Sequence, residues 1–385
     1  MKVLLGLSGG VDSAIAAYLL KKQGYDVTCL FMRNWDSALN NDLLGNPTID
    51  DYICPQEQDY NDAKNVAESL DLPILRVDFI KEYWDYVFES FLSEYKKGRT
   101  PNPDILCNKY IKFASFFDYA IKHGYDYVAM GHYAKVVHKD GKSFLYKGDD
   151  DNKDQSYFLC QIPYDALQKT LFPLANIDKS KVRELALELE LSIAKKKDST
   201  GICFIGERNF KQFLNNYLPA QDGDIIDINN NEIVGKHHGV LYYTIGQRKG
   251  LGIGGPKGPF VVIDKDVNLN QLYVASIEDD YWLFSNSCKV VDINWLTDLD
   301  KSNEYDINVK FRYRQKDLKA KIKFISDNEA MLYYPQRIPS VTIGQSAVFY
   351  LDRLCLGGGI IDVTYIDSTD IKKLVKDKLD TFNEQ

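Results

Sequence analysis

Three short stretches combine residue types and spacings that suit chemistry. The first is Ser8-Gly9-Gly10-Val11-Asp12-Ser13, directly after an apolar run. A glycine-rich turn between a buried strand and a helix presents backbone N–H groups at the helix N-terminus and so cradles anions. Ser8 and Ser13 add hydroxyl donors. Asp12 would repel bare phosphate and fits beside a Mg²⁺ that bridges phosphates. The plainer alternative is a tight strand-to-helix turn capped by Asp12. The second stretch runs from Gly98-Arg99-Thr100 through Pro101-Asn102-Pro103-Asp104 to Cys107-Asn108. Two prolines keep it extended between helices. Cys107 then falls at a helix start, where the dipole favours a thiolate. Asp104 stands three residues earlier, placed for proton transfer. The third is Asp198 to Gly206, with Cys203 on a glycine-bracketed loop after Lys195-Lys196-Lys197. The lysines would favour a thiolate, and the loop would let it move. From position alone each cysteine reads equally as a nucleophile or as a core residue.

A fourth stretch fails its own test. Gly250, Gly252 and Gly255 fit a dinucleotide GxGxxG, but Pro256-Lys257-Gly258-Pro259 follows where the motif needs a helix. It reads as a loop in a β-domain.

The elements that must hold these residues alternate at first. Strands are expected at 2–7, 25–32, 74–79 and 127–130, with helices at 13–23, 57–70, 81–97 and 110–122. Such alternation argues for a parallel sheet covered on both faces. Residues 37–55 are a polar surface insertion. A hairpin is expected over 136–146 and helices at 179–191 and 210–218. From 222 to 366 the chain is rich in Val, Ile and Tyr, with frequent turn residues and no long helical period, which reads as two β-rich units divided near 280.

Composition bounds the function. A chain of 385 residues suits two or three domains. Its 47 basic and 55 acidic side chains give a net charge of −8, which excludes a wholesale basic wrapper for nucleic acid but not a local patch. Seven scattered cysteines without Cys-x-x-Cys, and five histidines without ligand spacing, argue against both a disulfide framework and a metal centre. No apolar run approaches the roughly 20 residues that span a bilayer, and no secretory signal is evident. A soluble cytoplasmic protein is expected.

Taken together, SGGVDS, FMRNWDS, EYWDYVFESFLSEYKKGRTPNPDILCNKYIKF, MGHYAK, KDQSYFL, DSTGICFIG, YTIGQRKGLGIGG and GQSAVFY occur in one order over residues 1 to about 365. The chain resembles the bacterial tRNA-specific 2-thiouridylases, whose SGGxDS turn is that of the PP-loop ATP pyrophosphatases. The resemblance implies an α/β PP-loop domain (1–207), a small central β-rich domain (208–280), a C-terminal β-barrel that binds tRNA (281–368) and a tail (369–385). It implies sulfur transfer to C2 of the wobble uridine in tRNAs for Lys, Glu and Gln, after ATP adenylates the C2 oxygen. Sulfur would come as a persulfide from a cysteine desulfurase or a relay protein. ATP, with Mg²⁺, would lie on Gly6, Leu7, Ser8, Gly9, Gly10, Val11, Asp12 and Ser13, with Met32 and Gly131 at its adenosine end. Cys203 would carry the persulfide and Cys107 would be its partner, leaving a Cys107–Cys203 disulfide after turnover. Asn102, Pro103 and Asp104 would approach the target base. His132, Lys153, Asp154, Gln155, Arg312, Tyr313 and Gln345 match tRNA-contacting positions. The 37–55 insertion, with Cys54 before Pro55, departs from the family pattern. The rival readings are another PP-loop synthetase, or a tRNA binder with a relic nucleotide site.

The acidic net charge hides one basic element. Residues 308–325 hold seven basic residues (Lys310, Arg312, Arg314, Lys316, Lys319, Lys321, Lys323) and one acidic, Asp317. Val309, Phe311 and Tyr313 alternate with Lys310, Arg312 and Arg314, and Leu318, Ala320 and Ile322 alternate with three lysines. A hairpin with one basic face suits a phosphate backbone. A solvated charged face on a barrel is the alternative.

Overall fold

The computed structural model describes residues 1–48, 51, 54–198, 201–203, 205–206, 208–254 and 259–383. Gly255, Pro256, Lys257 and Gly258 of the rejected glycine motif therefore lie outside the described residues. Five parallel strands form the first sheet: β1 (Lys2–Gly6), β2 (Asp26–Arg33), β3 (Ile74–Asp78), β4 (Tyr127–Ala129) and, two residues long, β7 (Thr170–Leu171). Their order is β3-β2-β1-β4-β7, so the chain reverses direction between β1 and β4. Helix α1 (Val11–Lys22) turns its Ala14, Ile15, Ala16 and Ala17 side onto this sheet, and α2 (Pro55–Ser69) lies beside it. Val3, Leu4 and Leu5, all without exposure, explain the near-continuous apolar reading of β1.

Two helices differ from the expected ones in a way that shapes the site. The segment expected at 81–97 is Ile80–Tyr83, a π-helical stretch Trp84–Phe88 and Glu89–Lys96. The one expected at 110–122 begins earlier, as Pro103–Cys107, then runs π-helical over Asn108–Ser115 and ends as Phe116–Lys122. Asn102 caps it: its Oδ1 accepts from the N–H of Asp104 (3.2 Å) and of Ile105 (3.3 Å), and Pro103 fills the first helical position.

The hairpin of β5 (Ala134–Lys139) and β6 (Lys142–Lys147) leaves the first sheet altogether. It continues the C-terminal sheet, because β6 pairs with the thirteen-residue β17 (Leu354–Ile366) through Tyr146↔Leu354 and Leu145↔Cys355. Between these regions β8 (Asp222–Asp227), β9 (Glu232–His238), β10 (Phe260–Asp266) and β11 (Gln271–Ser276) form a four-stranded sheet in the order β10-β11-β8-β9. The last unit closes on itself: β12 (Phe284–Trp295), β15 (Ala330–Pro339), β14 (Leu318–Phe324), β13 (Tyr305–Lys310), β16 (Ser346–Leu351) and β17 follow one another, and β17 returns to β12. This six-stranded barrel encloses Val290, Val309, Ile322, Leu332, Phe349 and their neighbours. The helix Ile371–Asn383 lays Ile371, Leu374 and Val375 on the central sheet. Among the described residues no helix is long and apolar enough to cross a membrane.

The barrel is fastened to the proline-rich segment of the first domain. Thr100 N–H donates to the Ile343 carbonyl (3.1 Å), Gln345 Nε2 to the Thr100 carbonyl (2.7 Å), and Arg99 pairs with Asp362 (3.1 Å).

Candidate active site

The glycine turn sits at the C-terminal end of β1, where open parallel sheets bind ligands. Leu7 N–H still bonds to the Leu30 carbonyl (2.9 Å), and then the chain breaks away. Ser8 N–H donates to Ser13 Oγ (3.2 Å), and Ser13 Oγ donates to the Gly10 carbonyl (3.0 Å), which holds the turn closed on the first turn of α1. No side chain caps that helix, so its leading N–H groups face outward for an anion. Gly9 has φ +75, and a Cβ there would lie 2.3 Å from the Asp59 carbonyl oxygen. Gly131 is equally constrained, with a Cβ 2.9 Å from Asp12 C and Ser13 N. Met32 and Met130 close on Gly6, where a Cβ would meet Met130 Sδ at 2.7 Å. Val11 is buried in the sheet–helix core. The residues expected to hold ATP therefore form one contiguous edge.

Asp12 does not stand open toward a metal as expected. Both of its oxygens take Lys179 Nζ (2.7 and 2.8 Å), and Oδ1 also accepts from Tyr133 OH (2.7 Å). Lys179 in turn reaches Asp198 (2.8 Å), which also pairs with Lys153 (2.8 Å) and Arg183 (2.6 Å). Burial alone would raise the Asp198 carboxyl, but Lys153 and Lys179 hold it well below the usual carboxylate range. The loop that leads to Cys203 is thus tied by its Asp198 to the glycine turn. Nothing in the sequence around Lys179 signals this role; it begins a helix oriented by its own N–H to Asp150 (3.0 Å).

Cys107 and Cys203, 96 residues apart, meet: Cys107 Sγ lies 3.6 Å from Cys203 Sγ. Both are free thiols, so no disulfide joins them here. Cys203 is held from both sides of its backbone. Its N–H donates to Asp104 Oδ1 (3.1 Å), and its carbonyl accepts from the buried Tyr83 OH (2.8 Å). Burial raises the Asp104 carboxyl above its ordinary range, although the Cys203 N–H and Lys112 pull it back.

The thiol assignments from sequence need correction. Cys107 is the fifth residue after the Asn102 cap, in the second turn and past the first-turn reach of the helix-end dipole. It is fully buried, and burial pushes its thiol well above the ordinary value, with the charge of Cys203 adding to the effect. Cys203 is the more acidic partner. The Cys107 hydrogen bond lowers it, burial opposes, and the Lys112 ammonium lowers it further. The lysine run is not the source of that charge. Lys196 points the other way, to Asp59 (2.8 Å), Asp62 (2.6 Å) and the Gly9 carbonyl (3.1 Å), and staples α2 to the glycine turn.

Lys112 was not distinguished by the sequence. On an α-helix, residue 112 would stand about 140° around from residue 107. The π-helical stretch closes its hydrogen bonds on the fifth residue instead, and this turns residue 112 back toward the side of Cys107, where its ammonium acts on both thiols. Its Nζ also lies 3.4 Å from His132 Nε2. His132 follows Gly131 directly, so the glycine turn and the cysteine pair are separated by a few side chains.

The expected tRNA-contacting residues divide. Arg312 is exposed, donating to the Ser340 carbonyl (2.9 Å). With Thr100, Gly246, Gln247 and Gln345 it lines a cleft of about 310 Å³ where all three regions of the chain meet. Tyr313 packs its ring at a tilt against Phe158, with centroids 4.5 Å apart, and its OH donates to the Lys153 carbonyl (3.4 Å). Lys153 is half-buried in its pair with Asp198. Asp154 is buried and structural: its carboxylate accepts from the N–H of Gly148 (3.2 Å) and Ser156 (3.1 Å). Gln155 Oε1 accepts from Tyr133 N–H (3.1 Å). His132 is buried, and burial with Lys112 beside it drives its pKa far down, so it is a neutral ring. Asn102 and Pro103 form the helix cap described above, which makes demands on residue type of its own. Of the basic hairpin, Arg312, Arg314, Lys316, Lys319, Lys321 and Lys323 reach solvent. Lys310 does not. The strand ends there, and its ammonium turns in toward Asp154 (3.7 Å) and Asp317 (3.8 Å).

Comparison with known proteins agrees with this architecture. Residues 1–207 match the family profile described as tRNA methyl transferase HUP domain, 211–276 its PRC-barrel domain, and 285–361 an aminomethyltransferase beta-barrel domain. The tRNA-specific 2-thiouridylase MnmA of Mycoplasma capricolum subsp. capricolum is 60% identical over 368 residues, covering 94% of this chain and 98% of that protein. That of Mesoplasma florum is 56% identical over 369 residues, with 94% and 99% covered. That of Acholeplasma laidlawii is 50% identical over 367 residues, with 94% and 97% covered. A glycine turn at a parallel sheet edge, two thiols in contact beside it and a closed C-terminal barrel thus occur in a chain that belongs to the tRNA-specific 2-thiouridylase family.

Proposed function

We propose that the chain adenylates O2 of the wobble uridine in tRNAs for Lys, Glu and Gln and replaces it with sulfur carried as a persulfide on Cys203. The observation that carries this reading is the 3.6 Å contact between Cys107 and Cys203, with Asp104 bonded to the Cys203 N–H. ATP would lie with its phosphates on the glycine turn and its adenosine toward Met32 and Gly131. The uridine O2 attacks the α-phosphorus and pyrophosphate leaves toward the N–H groups of α1. Mg²⁺ would travel with the phosphates and offset their charge. Asp12, the turn's carboxylate, would hold it only by giving up Lys179, which takes both of its oxygens. The base must leave the anticodon stack to reach the site. Asn102 and Asp104 would approach it, and a carboxyl raised by burial could exchange a proton with it.

The acidity order, Cys203 below Cys107, supports the following sulfur steps. The Cys203 thiolate attacks the outer sulfur of a donor persulfide, from a cysteine desulfurase or a relay protein. The donor's S–S bond breaks and its thiolate leaves, so Cys203 becomes a persulfide. Its terminal sulfur then attacks C2 and expels AMP. Cys107 finally attacks the Cys203 sulfur. The bond to the transferred sulfur breaks, the thiouridine departs, and a Cys107–Cys203 disulfide awaits an external thiol. Arg312, Arg314 and the outward lysines of the barrel, with Tyr313, Gln345, Lys153 and Gln155, would meet the tRNA.

The test is the product set. Incubated with tRNA, ATP and a persulfide donor, the protein should yield AMP, pyrophosphate and 2-thiouridine in equal amounts. ADP and phosphate in place of AMP would overturn the assignment.

A further inference from the structure

We propose that Lys112 is the shared counter-ion of the two cysteines, serving Cys203 first and Cys107 second, and that this single cation orders the sulfur steps. The inference rests on the function proposed above and adds a residue to it. Three observations carry it. The two sulfurs lie 3.6 Å apart, and the charge of the Lys112 ammonium acts on both, lowering each thiol. The π-helical stretch is the backbone device that returns residue 112 to the face of Cys107. His132 Nε2, 3.4 Å from Nζ, is the ring nitrogen that can accept from an ammonium, and its buried surroundings keep that ring neutral. A cation, unlike a second carboxylate, is thus what the pocket is built around.

Among the described residues, the charged and titratable groups facing this centre come from four segments. Cys107 and Asp104 belong to Pro103–Cys107, Tyr83 to Ile80–Tyr83, His132 to the loop after β4, and Cys203 to its own loop. Burial alone would drive Lys112 toward its neutral form, yet Cys203, Cys107 and Asp104 hold it protonated. One ammonium in a poorly solvated site supports one thiolate well and two badly, because the second anion meets the first at 3.6 Å. Cys203 therefore ionises and Cys107 stays a thiol. Once Cys203 carries the persulfide and has reacted at C2, its sulfur is neutral. The repulsion that held Cys107 protonated is gone, and the same ammonium stabilises the Cys107 thiolate that completes the transfer.

The experiment is site-resolved alkylation of the full chain by iodoacetamide across pH, read by mass spectrometry, for wild type, Lys112→Met and Lys112→Arg. In the wild type Cys203 should alkylate with a midpoint below the ordinary thiol value of about 8.5, ahead of Cys107. Loss of the cation raises a thiol pKa, so in Lys112→Met the Cys203 midpoint should move up and its rate at pH 7 should fall by about tenfold, one pKa unit. Lys112→Arg should restore most of both. An unshifted Cys203 midpoint in Lys112→Met overturns the proposal. So does a wild type in which Cys203 titrates at or above the ordinary value, which keeps the test decisive even if Lys112→Met does not fold. Alkylation needs no turnover. A wild type that forms no 2-thiouridine yet shows the acidic Cys203 refutes the proposed function and leaves the counter-ion standing.

Discussion

Gly131→Ala should separate the proposed nucleotide cradle from the rest of the fold. A Cβ at residue 131 would lie 2.9 Å from Asp12 C, 2.9 Å from Ser13 N and 3.0 Å from Ser13 Cα. All three are backbone atoms, and none can rotate away. Ordinary contact begins at 3.4 Å, so the glycine turn and the end of β4 must part by about 0.5 Å (3.4 − 2.9). Such overpacking costs about 1–3 kcal/mol. The displaced atoms belong to the first turn of α1, whose N–H groups are the proposed phosphate donors, so the strain should fall on ATP binding. At 1.4 kcal/mol per tenfold, affinity should drop roughly 5- to 150-fold. The assay is equilibrium ATP binding by calorimetry, with Tm from thermal unfolding beside it. Gly124→Ala is the control. It has φ +77 but no atom within 4 Å of its Cβ. It should lose roughly 1 kcal/mol of stability from the left-handed backbone and keep its ATP affinity. If Gly131→Ala binds ATP as tightly as the parent while Tm is unchanged, Gly131 does not hold the glycine turn in place.

Three further outcomes follow from the geometry. Incubation with a cysteine desulfurase and cysteine should add one sulfur to Cys203 in the parent and in Cys107→Ser, and none in Cys203→Ser; thiolation by Cys203→Ser at the parent rate would remove the persulfide role. The double reversal Arg312→Glu and Arg314→Glu should weaken tRNA binding and flatten its salt dependence by about one unit of slope for each phosphate that is no longer neutralised, and an identical salt series would place the tRNA elsewhere. Arg208 pairs with the fully buried Asp42 of the insertion at 2.8 Å, and its own side chain is 6% exposed. Arg208→Met strands that carboxylate, which also accepts from Trp35 Nε1, and should cost about 3–5 kcal/mol; denaturant melting that shows no loss would mean Asp42 is otherwise compensated.

Local demands were legible in the sequence. Gly9 needs a positive φ and room for the Asp59 carbonyl, so only glycine suits, and the strand–turn–helix around it follows from residue type. Asn102 and Pro103 are a cap and a first helical residue, so the start of that helix was there to be read, although it begins seven residues before the expected 110. Leu318, Ala320 and Ile322 alternate with lysines and do so in β14. What the sequence left undetermined depends on partners far along the chain. The contact of Cys107 with Cys203 spans 96 residues, and the link from Asp12 to Lys179 spans 167. Lys310 alternates with the outward arginines yet turns inward, because Asp154 and Asp317 are there to receive it. The β5–β6 hairpin reads the same wherever it docks, and only its pairing with the start of β17 sends it to the barrel. Lys112 is the clearest case. Five residues from Cys107 means opposite faces on an α-helix and a shared one once the helix widens to i+5 bonding, and that widening was not legible in the residue types of 108–115. Residue type governs what a side chain can do locally, through sterics and period. Tertiary packing decides which charge faces which sulfur, because electrostatic partners are chosen by distance in space and not along the chain.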